Sequence, residues 1–227
     1  SPDGRQVHAL GVVARSGTPN AWAGCSGTQL STASMFTFDS NGASLADDLF
    51  SCGGGNSDAP PTLLLGRNAS GSRDDNPNLM QGPAALALER TGRWIYVVNQ
   101  QSNNVAIVPT RADRSTAVFT GDLATVDAVV GVGAGPNGIA VRRDGTRAYV
   151  YNAFDHTVSV LTGDDRGAVK KSRDILVTHD VLPPAVTEGR RVFFDAVDSR
   201  MSASRFGAAC ATCHLDNGRE DGHVWDF

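Results

Sequence analysis

No stretch of this chain stays apolar for the roughly 18 residues that a membrane-spanning helix needs, and no charged-then-apolar leader pattern stands at its start. No membrane-spanning helix is therefore expected within these residues. Basic residues are not in excess: 20 Lys and Arg stand against 24 Asp and Glu, a net charge of −4, with no basic stripe. That argues against a nucleic-acid-binding surface, which needs a positive footprint. No Ser-His-Asp order, glycine-rich phosphate loop or paired acidic motif stands out either. The short acidic pairs Asp47-Asp48 and Asp164-Asp165 read as loop and turn residues. What remains is ordinary globular material, 227 residues with 41% hydrophobic and 19% charged content, long enough to bury a full core.

Cysteine and histidine are few, four and five respectively, so their placement is informative. Two of the cysteines fall in Cys210-Ala211-Thr212-Cys213-His214. This C-x-x-C-H order is the pattern by which a chain attaches c-type haem. Two cysteines three apart on one helical turn point the same way, so their sulfurs can form thioethers to the two vinyl groups of one porphyrin. The histidine that follows at once can ligate the iron as proximal ligand. Two other readings exist. A thioredoxin-like dithiol should follow a strand of a βαβ pattern, which this region lacks. A zinc site would want two more ligands at close spacing, and His223 is the one candidate nearby.

The remaining cysteines, Cys25 and Cys52, lie in a polar stretch rich in Gly and Ser. If haem consumes Cys210 and Cys213, a Cys25–Cys52 disulfide is the one pairing left. It would close a loop of about 27 residues, worth about 3 to 4 kcal/mol in the chain-entropy model. The alternative is two unrelated thiols, which usually sit in apolar surroundings. A disulfide and a c-type haem both call for an oxidising compartment, so the expected location is periplasmic or extracellular.

An internal repeat is the second informative feature. Gly82-Pro83-Ala84-Ala85-Leu86-Ala87-Leu88 aligns with Gly135-Pro136-Asn137-Gly138-Ile139-Ala140-Val141, and Trp94-Ile95-Tyr96-Val97-Val98-Asn99 with Arg147-Ala148-Tyr149-Val150-Tyr151-Asn152, at an offset of 53 residues (82 to 135). Strands are expected at 86–88, 94–98 and 105–108, at 139–141, 148–151 and 158–161, and at 173–177 as a fourth strand of the second unit. The nearly unbroken apolar runs 94–98 and 148–151 imply burial on both faces. Four-stranded units at a period near 50 are what β-propeller blades look like in sequence. The opening Ser1-Pro2-Asp3-Gly4-Arg5-Gln6-Val7-His8-Ala9-Leu10 matches the interior of the same unit, so at least three blades are expected. The units resemble the YVTN-type β-propeller repeat, with Tyr96-Val97-Val98-Asn99 and Tyr149-Val150-Tyr151-Asn152 as the signature; both depart from it at the third position.

Beyond the repeats, Asp180-Val181-Leu182-Pro183-Pro184 reads as a linker whose tandem prolines end the last strand. A helix is expected over 187–196, with Val192, Phe193 and Ala196 near one face. This tail resembles the N-terminal haem region of the bacterial di-haem cytochrome c peroxidase and MauG-type family, carried by Gly189-Arg190-Arg191-Val192-Phe193-Phe194-Asp195, Met201-Ser202 and the C-x-x-C-H motif. The resemblance implies thioether attachment at Cys210 and Cys213, His214 as proximal iron ligand, and a small redox protein or small-molecule oxidant or reductant as partner. The family's second C-x-x-C-H is not present in this sequence. His223 and Met201 are candidates for the distal position, and Arg190, Arg191, Arg205 and Arg219 for pairing with haem propionates, with solvated surface arginine as the alternative for each. Trp225 is a candidate to pack on the porphyrin or to close a small core.

The expected layout is mainly β: a partial propeller of four-stranded antiparallel blades over 1–180, a linker over 181–186, and a short α-helical c-type cytochrome segment over 187–227. The chain opens without Met in the middle of a repeat and stops at Phe227, which suggests a portion of a longer protein with further haem ligation encoded past that residue. Three functions fit: a haem oxidoreductase of the peroxidase type with the propeller as scaffold or docking platform, a non-enzymatic electron-transfer cytochrome on the same scaffold, and an interaction propeller with a zinc-binding tail.

Overall fold

The computed structural model describes residues 6–14, 31–39, 62–64, 80–92, 94–109, 128–163, 168–198 and 209–214. The chain is mainly β. Strands β4 (Pro83–Leu88), β5 (Trp94–Asn99), β6 (Asn104–Pro109) and β7 (Ala128–Gly131) form one antiparallel meander. Strands β8 (Pro136–Val141), β9 (Arg147–Asn152), β10 (Thr157–Gly163) and β11 (Val169–Leu176) form the next. A third sheet holds β1 (Gln6–Ala14), β2 (Ser31–Asp39) and β3 (Thr62–Leu64). Strand β4 packs beside β8, β7 beside β11 and β1 beside β4, the arrangement of successive propeller blades.

The repeat read from sequence reappears in the backbone. Left-handed φ occurs at Gly82 and Gly135, at Gly92 and Gly145, and at Asn103 and His156, each pair one repeat offset apart. Register shifts fall between Pro83 and Ala85 in one sheet and between Pro136 and Gly138 in the other. The signature asparagines are both fully buried and each staples its own hairpin. Asn99 Nδ2 donates to Asn104 Oδ1 at 2.9 Å, and Asn152 Nδ2 donates to Thr157 Oγ1 at 2.9 Å and Ser159 Oγ at 2.8 Å.

One core joins the two four-stranded sheets. Tyr96, Val98, Val105, Ile107 and Val130 of the first pack with Ala148, Val150 and Leu161 of the second. The opposite face of the first sheet carries Met80, Ile95, Val97, Ala106 and Val108. Strand β5 is accordingly buried on both sides over 95–99, as its apolar run implies. Strand β9 is not. Ala148, Val150 and Asn152 are buried, whereas Tyr149 and Tyr151 are 36% and 37% exposed. The reason is positional: β9 has a neighbouring sheet on one side only among the described residues. Strand β7, unforeseen in the sequence, completes the first sheet, and the expected strand at 173–177 runs instead over Val169–Leu176.

The last strand ends well before the tandem prolines. Helix α1 (Pro184–Phe194) begins on them, with Pro183 as N-cap and Pro184 in the first turn. The fixed φ of proline suits the first helical turn, where the missing N–H costs no internal hydrogen bond. The segment expected as a linker thus contains the start of the helix. A single turn, α2 (Cys210–Cys213), follows. No helix among the described residues is long and apolar enough to cross a membrane.

Candidate functional site

Helix α2 is the C-x-x-C turn. Its N-cap, Ala209, is extended, and the Ala209 N–H donates to Thr212 Oγ1 at 2.9 Å while Thr212 N–H donates back to the Ala209 carbonyl at 3.0 Å. His214 is the C-cap, and its N–H donates to the Cys210 carbonyl at 2.9 Å. The backbone therefore places positions 210 and 213 one turn apart, with the histidine directly after. Ala209, Ala211 and Thr212 are buried, while Cys210, a free thiol, and His214 are half-buried. His214 Nδ1 is buried and has no hydrogen-bond partner among the described residues. A buried imidazole nitrogen without a partner is costly and is uncommon in a histidine that serves packing alone.

This turn sits on the propeller rather than apart from it. Thr212 Oγ1 donates to Gln101 Oε1 at 2.9 Å, across 111 positions of sequence. Gln101 lies in the turn between β5 and β6, and its carbonyl accepts from Ala196 N–H at 2.8 Å just past α1. Helix α1 packs beside α2 and against the corresponding turn of the next blade. There Phe194 lies 5.2 Å from the Phe154 ring, with the planes tilted by 51°, and the Arg190 guanidinium sits 4.9 Å from the same ring's centroid.

Two arginines expected as propionate partners are already engaged. Arg190 Nη2 donates to Asp180 Oδ2 at 2.7 Å, and Arg191 Nη2 donates to Asp155 Oδ1 at 2.7 Å. The Arg191 pair fastens α1 to the propeller, because Asp155 lies in the turn between β9 and β10, whereas the Arg190 pair ties α1 to the segment that leads into it. Asp180 also accepts from Leu182 N–H and Thr187 Oγ1, each at 2.9 Å, and His156 Nε2 lies 3.5 Å from its Oδ2. The Leu182 amide first, then Thr187, Arg190 and His156, outweigh partial desolvation and hold the Asp180 carboxyl down to about 2.

Among the described residues no group of three or more His, Cys, Asp or Glu is placed to hold a metal ion. Arg205, Arg219, Met201, His223 and Trp225, and the pair Cys25 and Cys52, lie outside the described residues. Sequence reasoning did not single out Gln101, Thr212, Asp155 or Asp180. The two middle positions of a C-x-x-C motif carry no signal of their own, and a lone Gln or Asp in a turn reads as solvated surface.

No protein-family profile matches this chain, and no curated protein sequence matches it. Solved structures do. It is similar to Kuenenia stuttgartiensis hydrazine synthase, with a TM-score of 0.50 and 19% identity over 71% of this chain and 43% of that one. The periplasmic gluconolactonase PpgL of Pseudomonas aeruginosa gives a TM-score of 0.45 and 13% identity over 67% of this chain and 38% of that one. A protein described as a putative 6-phosphogluconolactonase from Bacteroides uniformis gives 0.41 and 14% over 65% and 37%. The chain spans under half the length of each. At these identities the likeness concerns the fold alone, and it is the chain's own successive four-stranded antiparallel sheets that are of the propeller type.

Proposed function

We propose that this chain is a redox protein carrying covalently attached c-type haem, with thioethers to Cys210 and Cys213 and His214 as proximal iron ligand, and that its propeller serves as scaffold and partner-docking platform. The observation that carries this reading is the pairing of the one-turn Cys210–Cys213 helix with a histidine C-cap whose Nδ1 is buried without a partner among the described residues. Bound haem iron would supply one-electron exchange and, with an exchangeable distal position, reactivity toward peroxide. The chain's own residues would do the rest. The two cysteines hold the macrocycle's edge, His214 presents its ring nitrogen to the metal, and the Thr212 face keeps the turn on the propeller. An oxidoreductase of the di-haem peroxidase type, working in the periplasm or outside the cell, is the specific form of the proposal.

The test is spectroscopic. After expression with c-type haem maturation, the polypeptide should retain haem through acid-acetone extraction and show a c-type α band in a reduced-minus-oxidised spectrum. Absence of retained haem would sink the reading and leave the zinc-tailed propeller. A ferric high-spin signal that shifts with cyanide or peroxide supports the peroxidase form. An unreactive low-spin iron replaces it with electron transfer alone.

A further inference from the structure

A one-turn helix has no stability of its own in water, since nucleation is unfavourable and four residues close almost no internal bonds. The orientation of α2 must therefore come from what it touches. Its buried side is Ala211 and Thr212, and the polar bond from that side to the propeller is Thr212 Oγ1 to Gln101 Oε1, between two residues each over nine-tenths buried. The backbone of Gln101 is tied as well. Its N–H donates to the Gln81 carbonyl at 3.1 Å and its carbonyl accepts from Ala196 N–H. Its side chain crosses Gly82, where a Cβ would come within 2.5 Å of Gln101 Cγ.

The repeat supplies an independent argument. One offset further along, the equivalent of Gln101 is Phe154, which crosses Gly135 in the same way and packs against α1 instead. A blade turn of this type accommodates an aromatic ring at that position, so the blade itself does not require a polar Gln. The amide of Gln101 is spent on the C-x-x-C-H turn.

We propose that Gln101 is a positioning residue for the haem-attachment turn. It holds Thr212 against the propeller so that Cys210 and His214 are presented away from it, at the haem. This rests on the haem reading above. Outer-shell partners of this kind commonly change metal-site affinity or activity by about tenfold or more.

The experiment compares Gln101→Leu and Thr212→Val, which remove the acceptor and the donor, with Thr212→Ser, which keeps the hydroxyl. All are made in the full chain with c-type maturation. Expected are an about tenfold drop in covalent haem per chain for each removal, a heterogeneous ferric spectrum in the fraction that is loaded, and wild-type loading and spectrum for Thr212→Ser. The double variant should be no worse than Thr212→Val alone, because Thr212→Val already removes the one bond that Gln101→Leu breaks, and with it the bond from the Ala209 N–H. Thr212→Val lies outside the propeller, so it keeps the test decisive if Gln101→Leu fails to fold. A wild-type chain without haem overturns both this proposal and the functional reading. A haem-loaded wild type with Thr212→Val indistinguishable from it in loading and spectrum overturns the positioning role alone.

Discussion

The Phe154 ring occupies the space that any side chain at Gly135 would need, and Gly135 itself has a φ of +62°. Glycine is required there twice over, by the left-handed backbone and by the ring that holds α1. Gly135→Ala should destabilise the chain by about 1 to 3 kcal/mol and loosen α1. Gly138→Ala, where the nearest atom is an ordinary 3.9 Å away, should stay within about 0.5 kcal/mol of wild type. Thermal denaturation of the two side by side checks this; equal midpoints would show that neither the turn nor the ring is under constraint.

Asp180 makes the docking of α1 acid-sensitive. Its folded pKa of about 2 lies below the ordinary carboxylate value of 3.8, so its contribution is complete above pH about 4 and is lost as pH falls through 2. Amide exchange in α1 should accelerate across that window while exchange in β5 and β6 stays slow. In Asp180→Asn the helix should exchange fast already at neutral pH. A flat pH response of α1 in the wild type would remove Asp180 as its anchor.

Leu161 is fully buried between the two four-stranded sheets, whereas Tyr151 lies on the open face of the second. Leu161→Ala should cost about 2 to 5 kcal/mol, and Tyr151→Ala under about 1 kcal/mol. Denaturant titration with unchanged slope distinguishes them. Similar costs for both would mean that the Tyr149 and Tyr151 face is covered in solution.

Cysteine variants separate the two attachment points. Cys210→Ser and Cys213→Ser should each keep haem through the remaining thioether, with a red-shifted α band because one vinyl group stays conjugated. The double variant should lose all extraction-resistant haem. Intact mass reads the result directly, and haem retained in the double variant would place the attachment elsewhere.

The pair Cys25 and Cys52 is testable without structure. Mass before and after reduction and alkylation should show one bridge between them. Two free thiols at these positions would withdraw the argument they make for an oxidising compartment.

Much of the propeller was legible because its signals are local and repeated. Tyr96-Val97-Val98-Asn99 and its counterpart at 149–152 mark second strands by composition and spacing, and the structure returns β5 and β9 at those positions. Strand β7 was missed because Ala128-Val129-Val130-Gly131 is a short apolar run without alternation, a pattern shared by strands and buried helical pieces. The tandem prolines suggest a stop and are in fact a start, since Pro is compatible with both the end of a strand and the first turn of a helix. Burial of β9 was overestimated because an apolar run reports what a strand can bury, while a neighbouring sheet decides what it does bury.

By itself the sequence determined the repeat, the strands of the two units and the C-x-x-C-H turn, each set by residues a few positions apart whose geometry the local backbone dictates. Tertiary structure decided where the turn sits and which charges are free. Thr212 meets Gln101 across 111 positions, and Arg191 meets Asp155 across 36. Such pairs depend on how two blades and a helix pack, and no local pattern of Gln, Thr, Arg or Asp encodes a partner that distant.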